Sequence, residues 1–225
     1  RKYMNKNEGI SPSNYALTEQ GLTSWGTAYW NLDTVRLVEE AIKRNEGQLA
    51  ANGALAVRTG QYTGRSVKDK FIVRDANTEK TIDWGTVNQP MASDKFDGLY
   101  KRAMEHLKSK DLFVQDLQAG ADPAHTINVR AITEMAWHSL FGRTMLLRPA
   151  TDKLATMKPD WTILFVPSFK ADPAVDGTNS PTVIAVNFTR KIVLIGGTEY
   201  AGELKKSAFT ILNYILPDAQ TFPMH

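Results

Sequence analysis

Three short apolar segments in the second half of the chain constrain its fold more than any other feature of the sequence. They are rich in β-branched residues and show no apolar–polar alternation, which is typical of strands buried on both faces of a sheet. They lie at residues 161–166, 182–186 and 192–195. Because only a tight connection at 187–190 separates the last two, we expect them to be neighbours. A sheet buried on both faces needs helices on each side, so the segments predict an α/β fold.

Helical periods and further strand-like runs complete this prediction. We expect helices from residue 31 or 33 to Gly47, from an N-cap at Ser93 to about 110, over 134–143, and from Gly202 to about 216. Further strands are expected at 54–59, 71–74, 112–117 and 127–132. The first part of the chain shows no clear period and predicts an irregular arm over 1–30. Together these elements predict a mixed-sheet α/β sandwich, with residues 1–225 as a single domain.

The composition disfavours several classes of site and partner. The 225 residues contain no cysteine, which excludes disulfides, thiolate metal ligands and cysteine nucleophiles. The 27 Lys and Arg residues are dispersed among 24 Asp and Glu residues with a net charge of +3, which disfavours nucleic acid and suits a small anionic substrate. No apolar run reaches the roughly 18 residues of a membrane span, and the polar start does not resemble a signal peptide. We therefore expect a cytoplasmic protein with neither a nucleic-acid nor a membrane partner.

The histidines show no metal-binding pattern of their own. The four are His106, His125, His138 and His225, and none stands at metal-ligand spacing from another histidine or a carboxylate. We expect His106 and His138 to be surface or packing residues.

A polar, glycine-bearing stretch at 59–69 carries the first candidate site. Its small residues let the backbone approach a ligand closely, and the guanidinium of Arg65 matches a carboxylate or phosphate. The stretch is one residue short of a phosphate-binding P-loop between its glycines, and Arg65 stands where that loop has lysine. It therefore predicts no nucleotide loop. A solvated connection whose basic residues face water is the open alternative.

A glycine-rich turn between a strand and a helix, at 195–206, carries the second candidate site. Unpaired backbone N–H groups at such a helix start can bind an anion. Gly197 and Gly202 have the spacing of a P-loop, but Glu-Leu follows instead of Lys and Ser or Thr. Lys205 and Lys206 fall in the first helical turn, against the helix dipole, which indicates a functional role. Two exposed lysines on an ordinary helix remain the alternative.

Five segments together resemble the ATP-dependent phosphoenolpyruvate carboxykinase family. They follow the family's order and spacing and are TGQYTGRSVKDKFIVRD (59–75), LFVQDLQAGAD (112–122), VRAITEMAWHSLF (129–141), FTRKIVLIGGTEYAGELKKSAFTILNYILP (188–217) and the terminal Met-His. The resemblance implies the substrate-side, N-terminal domain of an enzyme that converts oxaloacetate and ATP to phosphoenolpyruvate, CO₂ and ADP, as in gluconeogenesis. It also implies Mn²⁺ and Mg²⁺, and a C-terminal domain with the nucleotide P-loop that is absent from this chain.

The resemblance implies roles for four residues. Arg65 would bind the substrate carboxylate and CO₂, and Tyr200 would contact the substrate. Lys206 would act in catalysis and contact both the substrate and the ATP γ-phosphate. Lys206 and His225 would be the Mn²⁺ ligands contributed by this part of the enzyme, and His225 would also approach ATP.

Three positions depart from the family's pattern. Val67 stands for a proline, which we expect only to loosen its loop. Glu199 stands for a tryptophan and Ala201 for a glycine, so we expect the substrate-facing turn to be less well formed or to tolerate change. Without the P-loop domain, we expect the chain alone to show no carboxykinase activity. The alternative is a stand-alone, non-catalytic anion-binding module. The natural gene distinguishes the two, because only the enzyme requires a reading frame that continues past His225.

Overall fold

The computed structural model of the protein describes residues 5–221 and 223. Its strands are Lys6–Gly9 (β1), Thr27–Trp30 (β2), Gly47–Leu49 (β3), Leu55–Val57 (β4), Lys70–Arg74 (β5), Gln89–Ala92 (β6), Leu112–Ala119 (β7), Ile127–Thr133 (β8), Trp161–Val166 (β9), Val183–Asn187 (β10) and Ile192–Gly196 (β11). Its α-helices are Thr34–Lys43 (α1), Ser93–His106 (α2), Ala136–Met145 (α3), Thr151–Leu154 (α4), Pro173–Asp176 (α5) and Gly202–Ile215 (α6).

Nine of these strands form one mixed sheet in the order β1-β2-β7-β8-β9-β11-β10-β5-β6. The pairs β7–β8 and β10–β11 are antiparallel, and the other neighbours are parallel. Strands β3 and β4 form a separate antiparallel hairpin. The predicted α/β fold with a mixed sheet is therefore confirmed.

The core lies on both faces of the central strands, as their continuous apolar runs predict. Every residue of β9, β10 and β11 is buried. Successive side chains of a strand point to opposite faces, so Leu164 packs in the cluster that contains α2, whereas Ile163 packs in the cluster that contains α6. The sheet is thus covered by α2 on one side and α6 on the other, and α6 leads into the candidate site.

The irregular arm predicted for residues 1–30 is wrong for the residues that the structure describes. Strand β2 pairs in parallel with β7, and β1 pairs with β2 at the edge of the sheet. Leu17 and Trp30 are buried in the core. Both strands have only four residues, too few to show a period, and their pairing depends on β7, which lies far along the sequence.

Two local predictions also need correction. The strand expected at 54–59 is shorter, and as β4 it lies in the small hairpin rather than in the main sheet. The N-cap of α2 is Ala92 rather than the predicted Ser93, which is the first residue of the helix. Strand β6 was not predicted because it contains Pro90, which lacks a backbone donor and is tolerated here at the edge of the sheet.

Within the described residues, no helix combines the length and apolarity needed to cross a membrane.

Candidate functional site

The turn between β11 and α6 brings the start of α6 to the edge of the sheet. Gly197 has a φ of +76°, and a Cβ there would lie 2.7 Å from the carbonyl oxygen of Pro181. Only glycine fits this turn, since the backbone needs the left-handed region and no side chain has room. Helix α6 begins at Gly202, so Lys206 lies in its second turn rather than in the predicted first.

The connection at 59–66 is held against this turn and helix at two points. The hydroxyls of Tyr62 and Thr182 are 2.6 Å apart, and Thr182 also donates to the carbonyl of Gly197 at 3.1 Å. The backbone N–H of Ser66 donates to the carboxyl group of Glu203 in α6. These bonds fix both ends of the segment that carries Arg65. The segment is therefore fixed at both ends, while Arg65 and Lys68 themselves are exposed, as the solvated-connection alternative expects.

Arg65 and Lys206 line the same cavity, of about 440 Å³, between this connection and α6. An adjoining cavity of about 490 Å³ shares Arg65, Lys70 and Lys206 with it. We refer to the two together as the basic groove, defined by these three cations. The two motifs singled out in the sequence thus meet in one place.

The pKa values of two ionisable groups in the basic groove are shifted from their ordinary values. Burial raises the pKa of Glu203 to about 7, against the opposing influence of Arg65, the Ser66 N–H and Lys70. Burial also lowers the pKa of Lys70, and the nearby charge of Arg65 acts in the same direction, while Glu203 partly offsets both. Such shifts in a cleft are typical of binding and catalytic sites.

The other predicted residues are placed differently. Tyr200 is not among the residues lining the basic groove, because its ring lies over the start of α6, where a Cβ on Gly202 would come within 2.5 Å of the ring. Lys205 lines a different cavity, of about 410 Å³, together with His125. His225 lies outside the described residues.

The buried His138 supports the turn that precedes α6. Its Nε2 lies 2.7 Å from the carbonyl oxygen of Glu199, and its ring packs 4.0 Å from the rings of Trp137 and Phe165. Burial lowers the pKa of His138 to about 3, so the ring is neutral and Nε2 donates. The packing role predicted for this histidine agrees with the structure. Glu199 itself faces Gly60 across a neighbouring cavity of about 330 Å³.

Several groups of the basic groove were not singled out in the sequence. Lys70 has no role in the sequence analysis beyond its place in the motif at 59–75, and Glu203 appears there only as a departure from a P-loop. The hydroxyls of Ser66 and Ser207 also line the 440 Å³ cavity. For Lys70, the available signal was its position five residues after Arg65 in the same motif.

Metal ligands do not converge in the part of the chain that the structure describes. Over residues 5–221 and 223, no three His, Asp or Glu side chains are grouped so that they could hold a metal ion.

A mixed α/β sheet with a basic groove between its last helix and a glycine-bearing loop defines a domain suited to small anions. Comparison with known sequences then identifies the family. The chain belongs to the phosphoenolpyruvate carboxykinase family, whose sequence model matches residues 26–225. The resemblance noted from the motifs is thereby confirmed.

Curated relatives cover nearly all of this chain. It is 54% identical to "Phosphoenolpyruvate carboxykinase (ATP)" of Brucella suis over 220 residues. The aligned residues make up 98% of this chain and 41% of the relative. Proteins of the same name from Methylobacterium nodulans and Novosphingobium aromaticivorans are 54% and 53% identical, over 91% and 94% of this chain, and it covers 38% and 40% of them. The chain therefore spans about two fifths of the length of these relatives.

Proposed function

We propose that this chain is the substrate-side, N-terminal domain of an ATP-dependent phosphoenolpyruvate carboxykinase. Such an enzyme converts oxaloacetate and ATP to phosphoenolpyruvate, CO₂ and ADP. Family membership and the name of the relatives support the proposal. The observation that carries it is that Arg65 and Lys206, from two separate motifs, line one groove.

The groove suits the chemistry of this reaction. A guanidinium can hold a carboxylate through two parallel hydrogen bonds, so Arg65 would bind and orient oxaloacetate. Loss of CO₂ from a β-keto acid leaves an enolate, whose developing negative charge is stabilised by cations already in place. Lys70 and Lys206 stand in the same groove to provide that charge. Arg65 would also lie next to the released CO₂.

The remaining roles are proposed from the family resemblance alone. Tyr200 would contact the substrate, which requires its ring to turn from its position over Gly202. Lys206 and His225 would bind Mn²⁺ and the ATP γ-phosphate, with Mg²⁺ accompanying ATP. Since the described residues do not complete a metal site, further ligands would have to come from elsewhere in a longer protein. A cytoplasmic location also stays a prediction.

A stand-alone anion-binding module is the second candidate. A natural reading frame that continues past residue 225 with a G-x-x-x-x-G-K-[ST] motif would exclude it.

Titration with oxalate, an enolate mimic, tests the leading proposal by calorimetry with and without Mn²⁺. We expect Arg65→Ala to weaken oxalate binding about tenfold or more, as the loss of a charge-assisted hydrogen bond implies. Arg58→Ala is the matched control, because Arg58 is exposed just before this connection and lines neither cavity of the basic groove. Equal affinities for the unchanged chain and both variants would count against the proposal.

A further inference from the structure

Two buried hydroxyl groups in the basic groove lack a hydrogen-bond partner among the described residues. They are the Oγ atoms of Ser66, whose residue is 9% exposed, and Ser207, whose residue is 3% exposed. Both residues line the 440 Å³ cavity. A buried polar group without a partner destabilises the fold, and such groups are uncommon in native proteins. Because both residues line one cavity, a ligand bound there would lie beside both of them.

Lys70 supplies a cation to the same cavity wall. Its Nζ donates to the hydroxyl of Thr210 at 3.3 Å, and Lys70 lines both cavities of the basic groove. An ammonium group has three N–H donors, so this bond leaves donors that can face a ligand.

The charge of the cavity wall favours a small anion. The described residues that line it include the cations Arg65, Lys68, Lys70 and Lys206, whereas Glu203 is the acidic residue among them. This net positive charge attracts anions, and the choice of a carboxylate among them rests on the proposed function.

We propose that Lys70, Ser66 and Ser207 form a second oxyanion subsite beside Arg65 that binds the other carboxylate of a dicarboxylate substrate. The inference rests on the proposed function, in which Arg65 binds one carboxylate of oxaloacetate. With a cation for each carboxylate, the substrate is held at both ends in one orientation. Lys70 then determines the preference for a dicarboxylate over a monocarboxylate.

A pair of stable ligands separates the two carboxylate positions. L-malate carries two carboxylates, and L-lactate carries one beside the same kind of hydroxyl group. By calorimetry, we expect the unchanged chain to bind malate about tenfold or more tightly than lactate, because a second charged contact is made. Binding of malate no tighter than lactate would overturn the inference.

Variants assign this preference to individual residues. Lys70→Met should reduce the affinity for malate to that for lactate and leave lactate binding unchanged, and the double change Ser66→Ala with Ser207→Ala should act in the same direction. Lys68→Met is the matched control, since it removes an exposed cation from the same cavity. Equal effects of Lys68→Met and Lys70→Met on malate would refute the specific role of Lys70. Thermal unfolding and the conservative Lys70→Arg, which should restore the preference, exclude a folding defect.

The same experiment separates this inference from the proposed function. Arg65→Ala should weaken both malate and lactate, and its failure to do so would count against the proposed function. Insensitivity to Lys70→Met would count against the second subsite alone. Inorganic phosphate is the third probe. If phosphate binds more tightly than malate, and if this binding is lost in Lys70→Met, the assignment of the subsite to a carboxylate is overturned.

Discussion

At the scale of single residues, a half-buried carboxyl group caps the start of a helix that is distant from it in sequence. Helix α3 has Met135 as its N-cap, which provides no side-chain cap. Instead Glu46 accepts hydrogen bonds from the backbone N–H groups of Ala136 and Trp137, at 2.7 and 3.2 Å. A negative group is favoured at a helix N-terminus. Burial nevertheless raises the pKa of Glu46 to about 7.

This raised pKa predicts a specific pH dependence of stability. Glu46 is protonated more readily in the folded than in the unfolded chain, so its contribution to stability falls as pH rises from about 4.5 to about 7. The slope is at most about 1.4 kcal/mol per pH unit for one proton. Glu46→Gln should remove this component, measured by urea unfolding across that window. Glu39→Gln is the control at an exposed position of α1, and parallel curves for all three proteins would contradict the prediction.

The buried His138 predicts the opposite trend in acid. The unfolded chain binds its proton near pH 6.5, whereas the folded chain binds it near pH 3, so acid destabilises the fold between these values. His138→Phe should remove this component and also cost about 1–3 kcal/mol at neutral pH, because the Glu199 carbonyl loses its donor. Unfolding curves compared with those of His125→Phe, a change at a half-buried loop histidine, provide the measurement. An unchanged acid slope in His138→Phe would show that another group is responsible.

At the scale of elements, a buried ion pair joins the N-terminal segment to the sheet. Arg130 in β8 is 0% exposed and bonds to Asp116 in β7 at 2.9 Å. Its guanidinium also donates to the carbonyl of Tyr15 and the side chain of Gln20, and lies over the ring of Trp30. One side chain thus connects β7, β8 and the segment that was predicted to be an irregular arm.

Removal of this cation should destabilise the protein strongly. Arg130→Met leaves Asp116 buried without its partner, which typically costs about 3–5 kcal/mol. Hydrogen exchange should also become faster over residues 15–20. Arg36→Met is the control, because its pair with Glu39 is exposed at 3.8 Å and such pairs contribute about 1 kcal/mol or less. Similar losses of stability in both variants would mean that the buried pair has no special role.

At the scale of the whole molecule, the chain spans 41% of the length of its Brucella suis relative. Its sequence contains no G-x-x-x-x-G-K-[ST] motif to hold the phosphates of ATP. Its described residues do not complete a metal site. Under the proposed function, the basic groove binds the small anionic substrate, and phosphoryl transfer needs a phosphate-binding motif in addition.

We accordingly expect the purified chain to bind oxalate but to convert no measurable oxaloacetate with ATP. Phosphoryl transfer depends on the positioning of the phosphates and their metal ions. A coupled assay of ADP formation, with the full-length Brucella suis relative as positive control, provides the measurement. Turnover by this chain that disappears in Arg65→Ala would contradict the expectation.

The sequence by itself determined the centre of the fold and part of the candidate site. Strands β9, β10 and β11 were predictable because burial on both faces leaves a continuous apolar run. Helices α1 and α6 were predictable from their apolar faces. Arg65 and Lys206, which line one cavity, could be named beforehand because each lies in a local sequence motif.

Only the tertiary structure decided the rest, because pairing and burial depend on residues distant in sequence. Strand β2 needs β7 beside it, and the start of α3 needs Glu46. Lys70 acquires its place in the groove only when β5 lies beside α6. Burial of Ser66 and Ser207 around one cavity leaves no periodic trace in the sequence, since each hydroxyl is ordinary until the fold removes it from water.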